Sequence, residues 1–156
     1  MTDILFMRRA IELADERMRA GEGGPFGAVV VKNGAIVGEG WNRVVATKDP
    51  TAHAEIVAIR DACARLGTFD LEGATVYTSC EPCPMCMGAI LWSRASRMCY
   101  AANRDDAAAI GFDDDFIYQQ IPLAPDQRTV AMKPLLRDES LVSFQEWAGK
   151  SDKVSY

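Results

Sequence analysis

Residues Phe26–Trp41 read FGAVVVKNGAIVGEGW, and this stretch decides the fold. Phe26 to Lys32 is rich in β-formers, and Asn33-Gly34 follows directly. Both residues of that pair tolerate positive φ, which makes Asn-Gly the strongest short signal for a hairpin. Ala35 to Trp41 is then the returning strand. On the N-terminal side, residues 3–20 carry Met7, Ile11, Ala14 and Met18 at helical spacing, and Gly21 stops them. On the other side, residues 42–50 form a polar loop. A second helix is expected from Thr51, as N-cap, to Leu66, with Ile56, Ile59, Ala62 and Cys63 as its apolar stripe. Gly67 ends it. Ala74 to Ser79 reads as a third strand, and a third helix starts near Pro82–Pro84 and runs to about Ser93. Met98 to Ala102 is a fourth strand, and Asp105 to Ile110 a short helix. Strands alternating with helices after an opening hairpin predict an α/β fold, a mixed β-sheet with helices on its faces.

Beyond Gly111 the pattern changes. Residues 111–116 are Gly-Phe-Asp-Asp-Asp-Phe, and the run Asp113-Asp114-Asp115 reads by itself as a solvated loop. Residues 122–134 hold Pro122, Pro125 and Pro134 with few apolar side chains, an extended connection. Ser140 to Lys150 resembles a short closing helix. The whole chain, 156 residues, suits one domain, and its 49% hydrophobic and 25% charged residues are those of an ordinary globular protein. Lys and Arg number 17 against 22 Asp and Glu, a net charge of −5. That balance argues against a broad nucleic-acid-binding face, because phosphate affinity comes from Lys and Arg. No targeting signal, no run long enough to span a membrane and no C-terminal anchor motif is visible. Five cysteines without a secretion signal read as reduced thiols in a cytoplasmic protein.

There is one histidine, so any histidine chemistry belongs to His53. His53-Ala54-Glu55 opens one helix and Pro82-Cys83-Pro84-Met85-Cys86 opens another. Cys83 and Cys86, three apart in a first helical turn, can point their sulfurs to one side. A helix N-terminus also favours the thiolate. Two thiolates and one imidazole suit zinc. Structural zinc usually has four protein ligands, whereas catalytic zinc has three and a water. No second histidine exists, and Glu81-Pro82 should keep Cys80 on an extended segment. Three ligands therefore leave an open position, and Glu55 is close enough to handle protons there. Zinc, two thiolates and a neutral imidazole sum to zero charge, which favours an uncharged substrate. Each half has a plainer explanation: Cys-x-x-Cys serves redox and structural sites, and a lone histidine at a helix start is often a cap. Other motifs fail, since the glycines of residues 21–27 lack the dinucleotide spacing and lie between a helix and a strand.

His-x-Glu followed about 30 residues later by Pro-Cys-x-x-Cys is the signature of zinc-dependent nucleobase deaminases. The chain resembles the cytidine and deoxycytidylate deaminase superfamily, and within it the small bacterial guanine deaminases. The likeness runs end to end, through Gly23–Ala28, Asn42, Asp49–Glu55, Ser79–Cys86, Gly111-Phe112-Asp113-Asp114 and Tyr156. It implies a cytidine deaminase-like three-layer fold, one deaminase domain over 1–156, and one zinc per subunit. His53, Cys83 and Cys86 would bind that zinc. Glu55 would be the proton shuttle and Asp114 a second acidic group near the leaving amine. Asn42 and Ala54 would contact the base, and Phe26 and Trp92 would sandwich its ring. Tyr156 and the C-terminal segment, 120–156, would close the pocket, with that segment exchanged between the subunits of a homodimer.

The implied reaction is hydrolytic deamination, guanine and water giving xanthine and ammonia. The rivals are a tRNA adenosine deaminase, a deaminase of free cytosine or another aminated heterocycle, and a zinc-stabilised binding module without catalysis. The acidic balance and the lack of a basic C-terminal helix weigh against tRNA, and Glu55 with the open ligand position weighs against the binding module. No nucleic-acid or membrane partner is expected.

Overall fold

The computed structural model describes residues 2–156. Helix α1 spans Asp3–Arg19, strands β1 and β2 span Gly27–Lys32 and Ala35–Trp41, and a single turn, α2, spans Val44–Thr47. Helix α3 covers Ala54–Leu66, β3 Thr75–Cys80, α4 Pro84–Trp92 and β4 Arg97–Ala102. Three helices follow, α5 (Arg104–Ala109), α6 (Asp114–Gln120) and α7 (Arg137–Gly149). The sheet order is β2-β1-β3-β4, with β1 antiparallel to both neighbours and β3 parallel to β4. The expected hairpin is present, with Asn33 at φ 53° and Gly34 at φ 74°.

Alternation along the central strands builds the three layers. Ala28, Val30 and Val76 pack with Ala54, Ala58 and Ala62 of α3 on one face. Val29, Val31 and Tyr77 pack with Phe6 and Leu13 of α1 on the other. A strand buried on both faces reads as a continuous apolar run, which is what Ala28–Val31 is. The mixed sheet between helices is therefore as expected.

Three local features differ from expectation. The second helix begins at Ala54, not after Thr51, because the Asp49 carboxylate accepts bonds from the Thr51 backbone N–H (2.8 Å) and hydroxyl (2.7 Å). That local turn uses the donors a helix start would need, and His53 takes the N-cap place. The acidic stretch Asp113–Asp115 is a helix start, not an open loop. The closing helix begins at Arg137, three residues before Ser140. From Ile121 onward nearly every residue is exposed, including Leu135, Val142, Phe144 and Trp147.

Candidate active site

The starts of α3 and α4 meet beside the C-terminal end of β3. His53 is the N-cap of α3, Cys83 the N-cap of α4, and Cys86 lies in the first turn of α4. Pro84 occupies a first-turn position where its missing N–H costs nothing. The His53 Nδ1 lies 3.6 Å from the Sγ atoms of both Cys83 and Cys86. Zinc–sulfur bonds of about 2.3 Å and zinc–nitrogen bonds of about 2.0 Å at a tetrahedral angle require about 3.5 Å between those atoms. The three side chains thus stand at the spacing zinc needs, and the donor types are those zinc prefers. The Cys83 thiol is pushed down to about 4 by a hydrogen bond from Cys86, against the opposing effect of burial. A thiolate is the form a metal binds.

Cys86 is fully buried beside His53 and Cys83, which line a cavity of about 290 Å³. Its apolar walls include Phe26, Val44, Val45 and Phe112, and its polar groups include Asn42, Glu55 and Asp114. Glu55 is 6% exposed, and burial pushes its carboxyl above the ordinary value. A carboxylate so raised exchanges protons nearer neutral pH. Asp114, at the start of α6, is also raised by burial. Asn42 is buried, and its Oδ1 accepts from the Val44 N–H at 3.2 Å. With its oxygen engaged by the backbone, the amide offers its NH₂ to the cavity. Phe26 is set by the neighbouring Gly27 N–H, which donates to the Ser79 hydroxyl at 3.0 Å.

The structure brings His53, Glu55, Cys83, Asn42, Phe26 and Asp114 to one cavity, and Cys86, fully buried, stands beside it within reach of His53. It does not bring Trp92, Tyr156 or the Ala54 side chain there. Trp92 ends α4 and points outward, 64% exposed, with Tyr156 packed on it at 6.0 Å between ring centroids. Within one chain the ring facing Phe26 is Phe112, edge-on at 4.7 Å and 85°. Ala54 is fully buried among Ala28, Val30 and Ala58, because its helix presents small residues to the sheet.

Phe112 was legible only as part of the Gly-Phe-Asp-Asp segment, with no role assigned. Its backbone N–H donates to the Ala107 carbonyl of α5 at 3.1 Å, and the following helix, α6, is tied to the metal-binding turn where the Tyr118 hydroxyl donates to the Pro82 carbonyl at 2.9 Å. Val44 and Val45 lay in what reads as a polar loop, and the turn of α2 turns them to the cavity rim.

A mixed sheet holding one histidine, one buried glutamate and two cysteines at facing helix starts defines a zinc-dependent deaminase site. Residues 1–102 match the family described as the cytidine and deoxycytidylate deaminase zinc-binding region, and the chain belongs to that family. Guanine deaminase of Bacillus subtilis (strain 168) is 51% identical over 151 residues, covering 97% of each chain. An X-ray structure of guanine deaminase from Bacillus subtilis superposes with a TM-score of 0.97 at 50% identity, covering 100% of this chain and 99% of that one. A tRNA-specific adenosine deaminase of Haemophilus influenzae is 44% identical over 119 residues, 73% of this chain and 68% of its own. A guanine deaminase structure from Nitrosomonas europaea gives a TM-score of 0.69 at 39% identity, covering 72% of this chain and 65% of that one.

Proposed function

We propose that this chain deaminates guanine hydrolytically, releasing xanthine and ammonia, with His53, Cys83 and Cys86 holding zinc. One observation carries the reading: a buried carboxyl, a fixed amide donor and two members of a three-ligand metal set, His53 and Cys83, line one small, largely apolar cavity. The likeness to guanine deaminase over 97% of the chain supports this substrate over the tRNA adenosine that the more partial relatives' names describe.

Zinc held by His53, Cys83 and Cys86 would supply the Lewis acidity that makes a water easier to deprotonate. The remaining work falls to the chain. Glu55 accepts the proton of the attacking water and delivers it to a ring nitrogen as the water oxygen bonds to C2. Asn42 donates its NH₂ to an acceptor on the base and so sets which ring carbon faces Glu55. Phe26 and Phe112, in edge-on contact with each other, form one apolar wall of the cavity against which the planar ring lies and which excludes water. The proton left on the added oxygen then passes through Glu55 or Asp114 to the exocyclic amine, and the C2–N bond breaks to give the xanthine carbonyl and ammonia. Side-by-side assays of ammonia release from guanine, adenine, cytosine and adenosine-bearing RNA test the substrate. Guanine is expected to be turned over at least about 100-fold faster than the others, since a buried donor left unpaired rejects an analogue strongly. Turnover of the RNA alone overturns the reading.

The functional unit is a homodimer in which residues 120–156 cross to the other subunit. The exposed apolar side chains of α7, uncovered by the rest of the chain, support this, because such surface in a folded protein is normally an interface. Size-exclusion chromatography with light scattering should give twice the chain mass. Deleting residues 137–156 should leave a monomer with lower activity, and a full-length monomer with full activity refutes the exchange. The five free cysteines fit a reducing compartment, the cytoplasm.

A further inference from the structure

We propose that Glu22 is a positioning residue for the Asn42 amide, acting through Trp41 and Arg43 on either side of it. The proposal rests on the reading that Asn42 binds the base. Asn42 lines the catalytic cavity, whereas Trp41, Arg43 and Arg17 line a groove on the opposite side of the same segment. On that outer side both flanking residues turn to one carboxylate. The Trp41 indole N–H donates to Glu22 at 2.5 Å, the Arg17 guanidinium donates to it at 3.1 Å, and the Arg43 Nε lies 4.0 Å from it. The Arg17 guanidinium also stacks 4.0 Å from the centre of the Trp41 ring, with that of Arg43 at 5.7 Å.

Glu22 is itself anchored by its backbone. Its N–H donates to the Arg17 carbonyl at 3.1 Å, and its carbonyl accepts from the Ala46 N–H at 3.2 Å. The next residue, Gly23, lies directly on Asn42. A Cβ there would sit 2.3 Å from the Asn42 Oδ1 and 2.4 Å from its carbonyl oxygen. The loop that Glu22 pins is thus the wall behind the Asn42 side chain. The Nε atoms of Arg17 and Arg43 are buried without hydrogen-bond partners, so Glu22 is the nearby counter-charge that keeps these guanidiniums in place. Removing that carboxylate frees both neighbours of Asn42 and the loop behind it. Among the described residues the cluster's link to the segment before His53 is the Arg43 backbone N–H, which donates to the Ala52 carbonyl at 2.9 Å and does not involve the Glu22 carboxylate, so the loss should fall on substrate positioning and not on the metal.

The test is a double-mutant cycle on guanine turnover with Glu22→Ala, Asn42→Ala and both together. Loss of one buried hydrogen bond to the base should raise KM about tenfold in Asn42→Ala. Glu22→Ala should raise KM roughly fivefold, leave kcat within about twofold and keep one zinc per chain. The double variant should be no worse than Asn42→Ala alone. A partly unfolded preparation would instead lower kcat and zinc content together at unchanged KM. A wild-type KM in Glu22→Ala, or losses that multiply in the double variant, overturns the proposal. A wild-type KM in Asn42→Ala removes the reading beneath it, which a Glu22 failure alone does not. Should Glu22→Ala not fold, Trp41→Phe deletes one donor and keeps an aromatic, though smaller, ring beneath Arg17. It should show the same rise in KM and the same non-additivity, and a wild-type KM there is equally fatal.

Discussion

The Glu55→Gln variant is expected to bind one zinc per chain and to turn guanine over about 10³-fold more slowly, the scale of a lost general acid–base. Glutamine has the shape of glutamate and fills the same buried place, so the walls of the cavity stay. What it lacks is the ability to take a proton from water and return it to the ring. The metal ligands lie on His53 and α4 and do not include Glu55, so metal content should match the wild type. The thermal midpoint should be unchanged or higher, because burial disfavours the charged carboxylate and the neutral amide escapes that cost. His53→Ala separates the two functions: it should lose both zinc and turnover, since two thiolates alone leave the set a ligand short. Metal analysis and single-turnover assays on both variants decide the matter. A zinc-loaded Glu55→Gln enzyme with normal turnover would remove Glu55 from the mechanism.

Parts of this site that depend on residue chemistry were legible in the sequence. Zinc needs soft donors at set spacings, and with one histidine available the ligand set followed from His53 and the Cys83-x-x-Cys86 spacing. The sheet was legible for a similar reason, since Asn33-Gly34 and the run Ala28–Val31 each have a single economical reading. Phe112 and α6 were not. Asp113-Asp114-Asp115 carries no apolar periodicity, and the short helix there docks through one tyrosine hydroxyl on Pro82. Within one chain Trp92 does not reach Phe26, for a related reason. Trp92 is the last residue of the metal-binding helix, and the 9 residues of α4 carry the indole to the end away from Cys83 and Cys86. The apolar positions of α7 marked a helix but not its partner, because nothing in a 13-residue periodicity says which molecule covers it.

The glycines of β2 give the second large effect. Gly38 and Gly40 look like poor strand formers, since glycine weakens a strand interior. They face α3, where Ala54, Ala58 and Ala62 repeat every fourth residue and turn a strip of small side chains to the sheet. Helix and strand meet there at backbone contact. A Cβ on Gly40 would stand 2.2 Å from the Ala54 carbonyl oxygen and 2.3 Å from the Ala58 nitrogen. Ala54 sits between His53 and Glu55, so any movement of α3 away from β2 carries the imidazole and the proton shuttle with it. The two cysteines stay behind on α4. Gly40→Ala is therefore expected to cost roughly 3 kcal/mol or more in stability, at the upper end of overpacking effects. It should also weaken zinc retention against a chelator and lower kcat in the same preparation. Shortening a side chain on α3 cannot relieve it, because the atoms in the way belong to the backbone. The double variant Gly40→Ala with Ala58→Gly should be less stable than Gly40→Ala alone, helix glycine adding about 1 kcal/mol. Denaturant titration of the two variants measures this, and a rescue by Ala58→Gly would mean that α3 and β2 are held apart by side chains after all.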